Sequence, residues 1–247
     1  MKKVIVCLIV SLALLCSSTI VYAGDVSLDD LIGKIQGNQK RIKDMYAETT
    51  TIITSSMAMP GAEGKGPQKM TQKGKMWTKG EDKSKIEMIS PMKQVTITND
   101  DKMAIINSET GQKIVQDLKK LRQQSGMPES SKQMSLEKAK DFFSLSTSKK
   151  GDDYVITGVP KKENKFMSKM EFYVDSGKWV PVKIFMYDAK GKPISQSDIE
   201  YQKISDIWIP VKNKSIVNTP AGRMEVEMEF SNVKINKGIS DREFVVE

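Results

Sequence analysis

The plainest pattern in the chain is Met224-Glu225-Val226-Glu227-Met228-Glu229-Phe230, where apolar and acidic positions alternate strictly. A period of two is that of a β-strand, so one face carries Met224, Val226, Met228 and Phe230 and the other carries the glutamates. Strand-like segments of the same kind fill most of the second half: Asp153 to Val159, Met167 to Val174, Trp179 to Tyr187, Ile194 to Ile204, Ile207 to Val217 and Arg223 to Ile235. Turn-forming clusters separate several of them, including Asp175-Ser176-Gly177-Lys178, Asp188-Ala189-Lys190-Gly191 and Thr219-Pro220-Ala221-Gly222. Such short connections join antiparallel neighbours.

The first half opens differently. Ser27-Leu28-Asp29-Asp30 reads as a helix start, and Leu28, Leu31, Ile32, Ile35 and Ile42 recur at helical spacing behind it. The result is an amphipathic helix whose apolar stripe needs a partner. Tyr46 to Ser56, rich in Thr and Ile, predicts a strand. Met57 to Gln68, with two prolines and three glycines, predicts a long loop and a candidate flap. Four more strands follow: Met70 to Lys79, Lys83 to Ile89, Gln94 to Thr98 and Met103 to Asn107. The middle of the chain predicts two helices, one through Ile114, Val115, Leu118 and Leu121, the other from a Ser135 cap through Leu136, Ala139, Phe142 and Phe143.

Antiparallel strands with one wet face must cover the other, and the helices are the covering elements at hand. The expected fold class is α+β: one large curved antiparallel sheet, an unclosed β-barrel, with helices over its concave face.

The N-terminus changes the setting. Lys2 and Lys3, an apolar run from Val4 to Leu15, and Val21-Tyr22-Ala23 read as a secretory signal over residues 1–23, cleaved after Ala23. Residues 24–247 then form a single exported domain, expected in the periplasm. Leu15, before Cys16, is too large for a lipoprotein cleavage site. Both cysteines, Cys7 and Cys16, fall inside the signal, and the chain has no histidine. Thiol catalysis, histidine catalysis and cysteine metal sites are thereby excluded from the exported domain.

The net charge of +8 comes almost wholly from lysine, with only Arg41, Arg122, Arg223 and Arg242 as arginines, far apart in sequence. This pattern is an ordinary solvated surface and not a nucleic-acid footprint. Asp100, Asp101, Asp188 and Asp241 suit turns better than a calcium loop. No Gly-x-Ser-x-Gly motif supports hydrolysis. The reading is a protein without catalytic residues, metal or cofactor. What the composition offers instead is 16 methionines, several at inward-type strand positions. Their flexible, polarizable side chains suit a surface that receives variable apolar guests.

Gly74-Lys75-Met76-Trp77-Thr78-Lys79, then Ser84 to Pro91, then Thr98-Asn99-Asp100-Asp101-Lys102 follow the Thr-rich strand in an order that resembles the LolA-like outer-membrane lipoprotein carrier superfamily. Phe172-Tyr173-Val174-Asp175, Trp179-Val180-Pro181, Trp208-Ile209-Pro210 and the closing Ile239-Ser240-Asp241-Arg242-Glu243-Phe244 are similar to its lipoprotein-sorting branch. The resemblance implies an unclosed barrel whose apolar interior accepts acyl chains of lipoproteins or other lipids. It implies partners too: an inner-membrane transporter that loads the carrier and an outer-membrane acceptor that unloads it, around a monomer. The carriers of that family hold their lid through an arginine on an early strand. Here the Tyr46 to Ser56 strand has none, and Arg41 lies on the first helix.

With that fold, the lining is expected from Ile86, Met88, Ile97, Met170, Phe172, Val182, Ile184, Met224, Val226, Met228 and Phe230. Leu31 and Ile35 face it from the covering helix, and Trp77 stands at the mouth. A second class of function fits the same fold, a non-transporting envelope sensor or interaction module. It would show an exposed docking patch in place of an enclosed apolar surface.

Overall fold

The computed structural model describes residues 26–56, 67–125, 136–164, 167–219 and 222–246. The signal segment, nearly all of the Met57 to Gln68 loop and the Gly126 to Ser135 stretch lie outside them.

Helix α1 (Leu28–Lys40) is followed by β1 (Asp44–Ser55), β2 (Gln68–Lys79), β3 (Lys83–Ser90), β4 (Gln94–Asn99), β5 (Lys102–Asn107) and β6 (Lys113–Asp117). Two short helices, α2 (Leu118–Ser125) and α3 (Leu136–Phe142), come next. The chain then runs through β7 (Phe143–Lys150), β8 (Asp153–Pro160), β9 (Lys169–Asp175), β10 (Val180–Tyr187), β11 (Pro193–Ile204), β12 (Ile207–Thr219) and β13 (Gly222–Ile235), closing on a 3-10 turn at Asp241–Phe244.

All thirteen strands form one antiparallel sheet in the order β6-β5-β4-β3-β2-β1-β13-β12-β11-β10-β9-β8-β7. Two meanders are joined where β1, the first strand, pairs with β13, the last. The sheet ends at β6 and β7 without closing on itself, so the unclosed antiparallel sheet with helices on one face is the architecture observed.

Helix α1 starts where Ser27 caps it, the serine oxygen accepting from the Asp30 amide at 3.1 Å. Leu31, Ile32 and Ile35 are fully buried against Tyr154 and Ile156 of β8 and Val174 of β9, with Leu145, Phe172 and Trp179 alongside. Only one end of the sheet receives the helix.

The middle of the chain corrects the helix expected from Ile114. Residues Lys113–Asp117 form strand β6, an edge paired with β5, and the helix begins only at Leu118. Pairing with β5 overrides a spacing that fits a helix as well as a strand. Strand β7 is a further finding that the pattern does not predict: its Ser144, Ser146 and Ser148 dilute the apolar signal, and its pairing with β8 supplies the order instead.

Candidate functional site

Residues directly opposite one another on neighbouring strands share a face of the sheet, so the register assigns the faces. One row runs across nine strands, Thr147–Ile156–Phe172–Ile184–Ser197–Ser215–Val226–Ile53–Met70. It contains Ile156 and Phe172, against which α1 packs, and therefore defines the helix-bearing face. A parallel row is Leu145–Gly158–Met170–Met186–Ser195–Val217–Met224–Ser55–Gln68. Three shorter rows lie on the same face: Ile199–Asn213–Met228–Thr51–Gln72, Phe230–Thr49–Gly74–Met88–Gln94–Asn107 and Ala47–Met76–Ile86–Thr96–Ile105–Ile114.

None of these five rows carries a charged side chain. The rows between them do: Tyr173–Lys183–Asp198–Lys214–Glu227 crosses β9 to β13 on the opposite face. The ion pairs of that face lie within and between its rows, with Lys183 at 3.3 Å from Asp198 and Lys212 at 2.6 Å and 2.9 Å from Glu227 and Glu229. Hydrogen bonds from the Lys212 ammonium hold Glu227 below its ordinary value and raise Lys212 in return. Glu171, nearly buried on the same face, is raised by burial but more than compensated by hydrogen bonds from Lys169 and Tyr187, so its pKa falls. Burial and the hydrogen bond to Glu171 push the Tyr187 hydroxyl up to about 12. Charge is thus absent from these five rows and dense behind them; on the helix-bearing face Lys149 stands outside them, at the β7 end of the row Lys149–Tyr154–Val174–Pro181.

The uncharged side is only partly covered. Leu31 is 0% exposed beneath α1, whereas Ile86 is 46% and Ile114 is 50% exposed at the other end of the same face. Between these limits Met170, Phe172, Ile184, Met224, Val226, Met228 and Phe230 stand half-buried. Apolar surface thus stays open beyond the part that α1 covers.

The structure brings most of the expected lining residues onto this face: Ile86, Met88, Met170, Phe172, Ile184, Met224, Val226, Met228 and Phe230. Leu31 and Ile35 are consumed in seating the helix and offer no open area. Three placements are corrected. Trp77 pairs with Lys85, and Lys85 with Ile97, so both Trp77 and Ile97 lie on the opposite face from Ile86, which pairs with Thr96. There they pack, with Ala104, against Phe244 and Val246 of the C-terminal tail. The strand alternation alone puts Ile86 and Met88 together but leaves the parity of the next strand open, and the tail's apolar anchor is what claims Ile97. Val182 is the extra residue of a bulge between Pro181 and Lys183. It lines a depression of about 540 Å³ with Tyr173, Phe185, Lys150 and Asp198, largely on the charged side.

Two features escaped the sequence reading. One is how the helix is held. Asn38 receives the Trp208 backbone amide on its Oδ1 at 3.0 Å and donates its Nδ2 to the Trp208 carbonyl at 2.8 Å. Arg41 adds a bond to the Asp206 carbonyl at 2.8 Å, and Lys140 of α3 reaches Asp29 at 2.7 Å. The C-terminal end of α1 is therefore tied to the β11–β12 turn through side chain and backbone, with no strand arginine involved. The other is the neutral polar set on the face itself, Ser195, Ser197, Ser215, Asn213, Thr49 and Thr51. The absence of charge at every second position of five strands was the signal that could have found it.

Among the described residues no group of three His, Cys, Asp or Glu is placed to hold a metal ion. No helix among them is long and apolar enough to cross a membrane.

A family model whose description reads "uncharacterized protein" matches residues 130–247. No curated protein matches the sequence. Solved structures do match the fold. A DUF1329 family protein from Desulfovibrio piger superposes with a TM-score of 0.62 at 16% identity, covering 87% of this chain and 95% of that one. A LolA superfamily protein from Nitrosomonas europaea gives 0.58 at 13% identity, covering 90% and 98%. An outer-membrane lipoprotein-sorting protein domain from Vibrio parahaemolyticus gives 0.57 at 15% identity, covering 86% and 95%. Each likeness spans 86–90% of this chain and 95–98% of the other, and the chain is LolA-like in fold.

Proposed function

We propose that this protein is an envelope carrier that holds the acyl chains of a lipid or lipoprotein on the helix-bearing face and passes them on towards the outer membrane. The observation that supports this reading most directly is the distribution of charge: a nine-strand row without a charged residue, half-buried along its length except at Ile156, on a sheet whose other side is dense with ion pairs. Hydrocarbon laid on such a face leaves water at about 0.8 kcal/mol per CH₂ and desolvates no ion. Methionines at Met70, Met76, Met88, Met170, Met186, Met224 and Met228 give the face a surface that adapts to chains of different shape.

The reading needs no catalytic residue, since capture and release are both partition steps. Helix α1, seated at one end and tied at its C-terminus, is the boundary of the bound chains in this account. The likeness to carriers and lipoprotein-sorting domains supports a periplasmic site of action, a lipidated cargo, and membrane partners on either side. Diphenylhexatriene, a hydrocarbon dye that fluoresces only out of water, tests the reading. It is expected to light up with the exported domain and to lose that signal in Val226→Glu, a change in the middle of the nine-strand row. No signal from the natural protein would refute it.

A further inference from the structure

We infer that a hydroxyl-and-amide band on β11 and β12 is a station for the ester linkage of an uncharged acylglycerol, so that this face selects cargo by its linkage and rejects a charged head group. The inference rests on the carrier reading and deepens it.

The band interrupts the apolar rows in the same place each time. Ser197 and Ser215 stand between Ile184 and Val226 in one row, and Ser195 follows Met186 in the next. Asn213 stands between Ile199 and Met228 in a third row. A surface meant for hydrocarbon alone would gain by filling these positions with valine, because each hydroxyl replaces apolar area that a chain could cover.

The polar atoms are joined to one another and keep donors to spare. Ser197 Oγ lies 2.7 Å from Ser215 Oγ, and Ser215 donates to Asn213 Oδ1 at 3.3 Å. With the Ser215 proton on Asn213, the Ser197 proton completes the chain. The two protons of Asn213 Nδ2 have no partner among the described residues. An ester carbonyl is an acceptor without a proton, which is what free amide protons call for.

The same rows hold no cation. Lys214, between Asn213 and Ser215, projects to the other face in line with Asp198 and Glu227. A phosphate drawn onto the band would be desolvated without a counter-charge, a far larger penalty than that of a carbonyl.

Displacement of diphenylhexatriene measures this directly. Dioctanoylglycerol and dioctanoyl phosphatidic acid share their chains and esters and differ in the phosphate. The natural protein is expected to release dye to dioctanoylglycerol at a concentration at least tenfold lower. In the double variant Asn213→Leu with Ser215→Ala, dye binding stays while dioctanoylglycerol weakens about tenfold, as the loss of two ordinary hydrogen bonds implies. Equal displacement by the two lipids, or an unchanged response in the double variant, would overturn the inference and leave the carrier reading standing. Failure of the dye to bind the natural protein would end both. Should the double variant not fold, the comparison of the two lipids on the natural protein still decides.

Discussion

The Tyr187 hydroxyl donates to the Glu171 carboxylate across 2.8 Å, and Lys169 closes on the same carboxylate at 2.7 Å from its other oxygen. Glu171 is 5% exposed, so its charge is held by these partners and not by water. Because its folded pKa lies below the ordinary 4.5, it adds stability above that pH, and this is lost as pH falls through the folded value. Glu171→Gln is expected to lower stability at neutral pH by about 2 kcal/mol, the scale of a charge-assisted hydrogen bond. The deficit relative to the natural protein should shrink in acid, which denaturant melts at pH 7 and below pH 4 would measure.

A second prediction concerns the tie between α1 and the sheet. Asn38 satisfies both the amide and the carbonyl of Trp208. Asn38→Ala is expected to destabilise by about 1–2 kcal/mol and to speed amide exchange within Leu28–Lys40 more than within β1. Uniform protection of the two segments would show that packing of Leu31, Ile32 and Ile35 holds the helix without the tie.

The C-terminal tail is a strap on the charged face. Phe244 is fully buried against Ile97 and Ala104, while Asp241 meets Lys79 and Lys83 at 3.0 Å and 2.9 Å. Phe244→Ala is expected to cost about 3–5 kcal/mol, the scale for emptying an aromatic site. Hydrogen bonds from Lys83 and Lys79 hold the Asp241 carboxyl below its ordinary value of 3.8. The ionic part of the strap therefore persists above that pH and weakens as pH falls through the lowered value. Limited proteolysis at the C-terminus, scored for Asp241→Asn against the natural chain at pH 7, should show faster cleavage in the variant.

Thr147 Oγ1 is buried with no hydrogen-bond partner among the described residues, at the β7 end of the nine-strand row. Thr147→Val keeps the shape and removes the unsatisfied group. The variant is expected to melt at the same temperature or higher, by about 1 kcal/mol of added stability. A clear loss of stability would mean that the hydroxyl has a partner in solution.

How much of this could be read from sequence depends on the strand. The Met224 to Phe230 alternation puts four residues on one face, as the register does, because strict periodicity leaves one choice. The Ser27 cap and the Leu31, Ile32 and Ile35 stripe give the helix and its buried side. Trp77 and Ile97 fail for a physical reason: parity between strands is set by hairpin registers and by bulges such as the shift between Lys73 and Gly74. Gly74 itself has no room for a side chain, since a Cβ there would lie 2.5 Å from the Glu87 carbonyl oxygen. Apolar residues on the wrong parity then found their partner in the tail, 147 residues further on from Ile97 to Phe244 in numbering. The uncharged polar band was invisible to a search for greasy residues, although the same strands displayed it as an absence of charge.

Native mass spectrometry of residues 24–247 after gentle purification tests the central claim most directly. The account predicts adducts of acyl-chain mass on the natural protein, lost in Met228→Glu while the melting temperature holds. A natural protein that stays free of adducts even when lipid is supplied, or adducts that survive the glutamate, would contradict it.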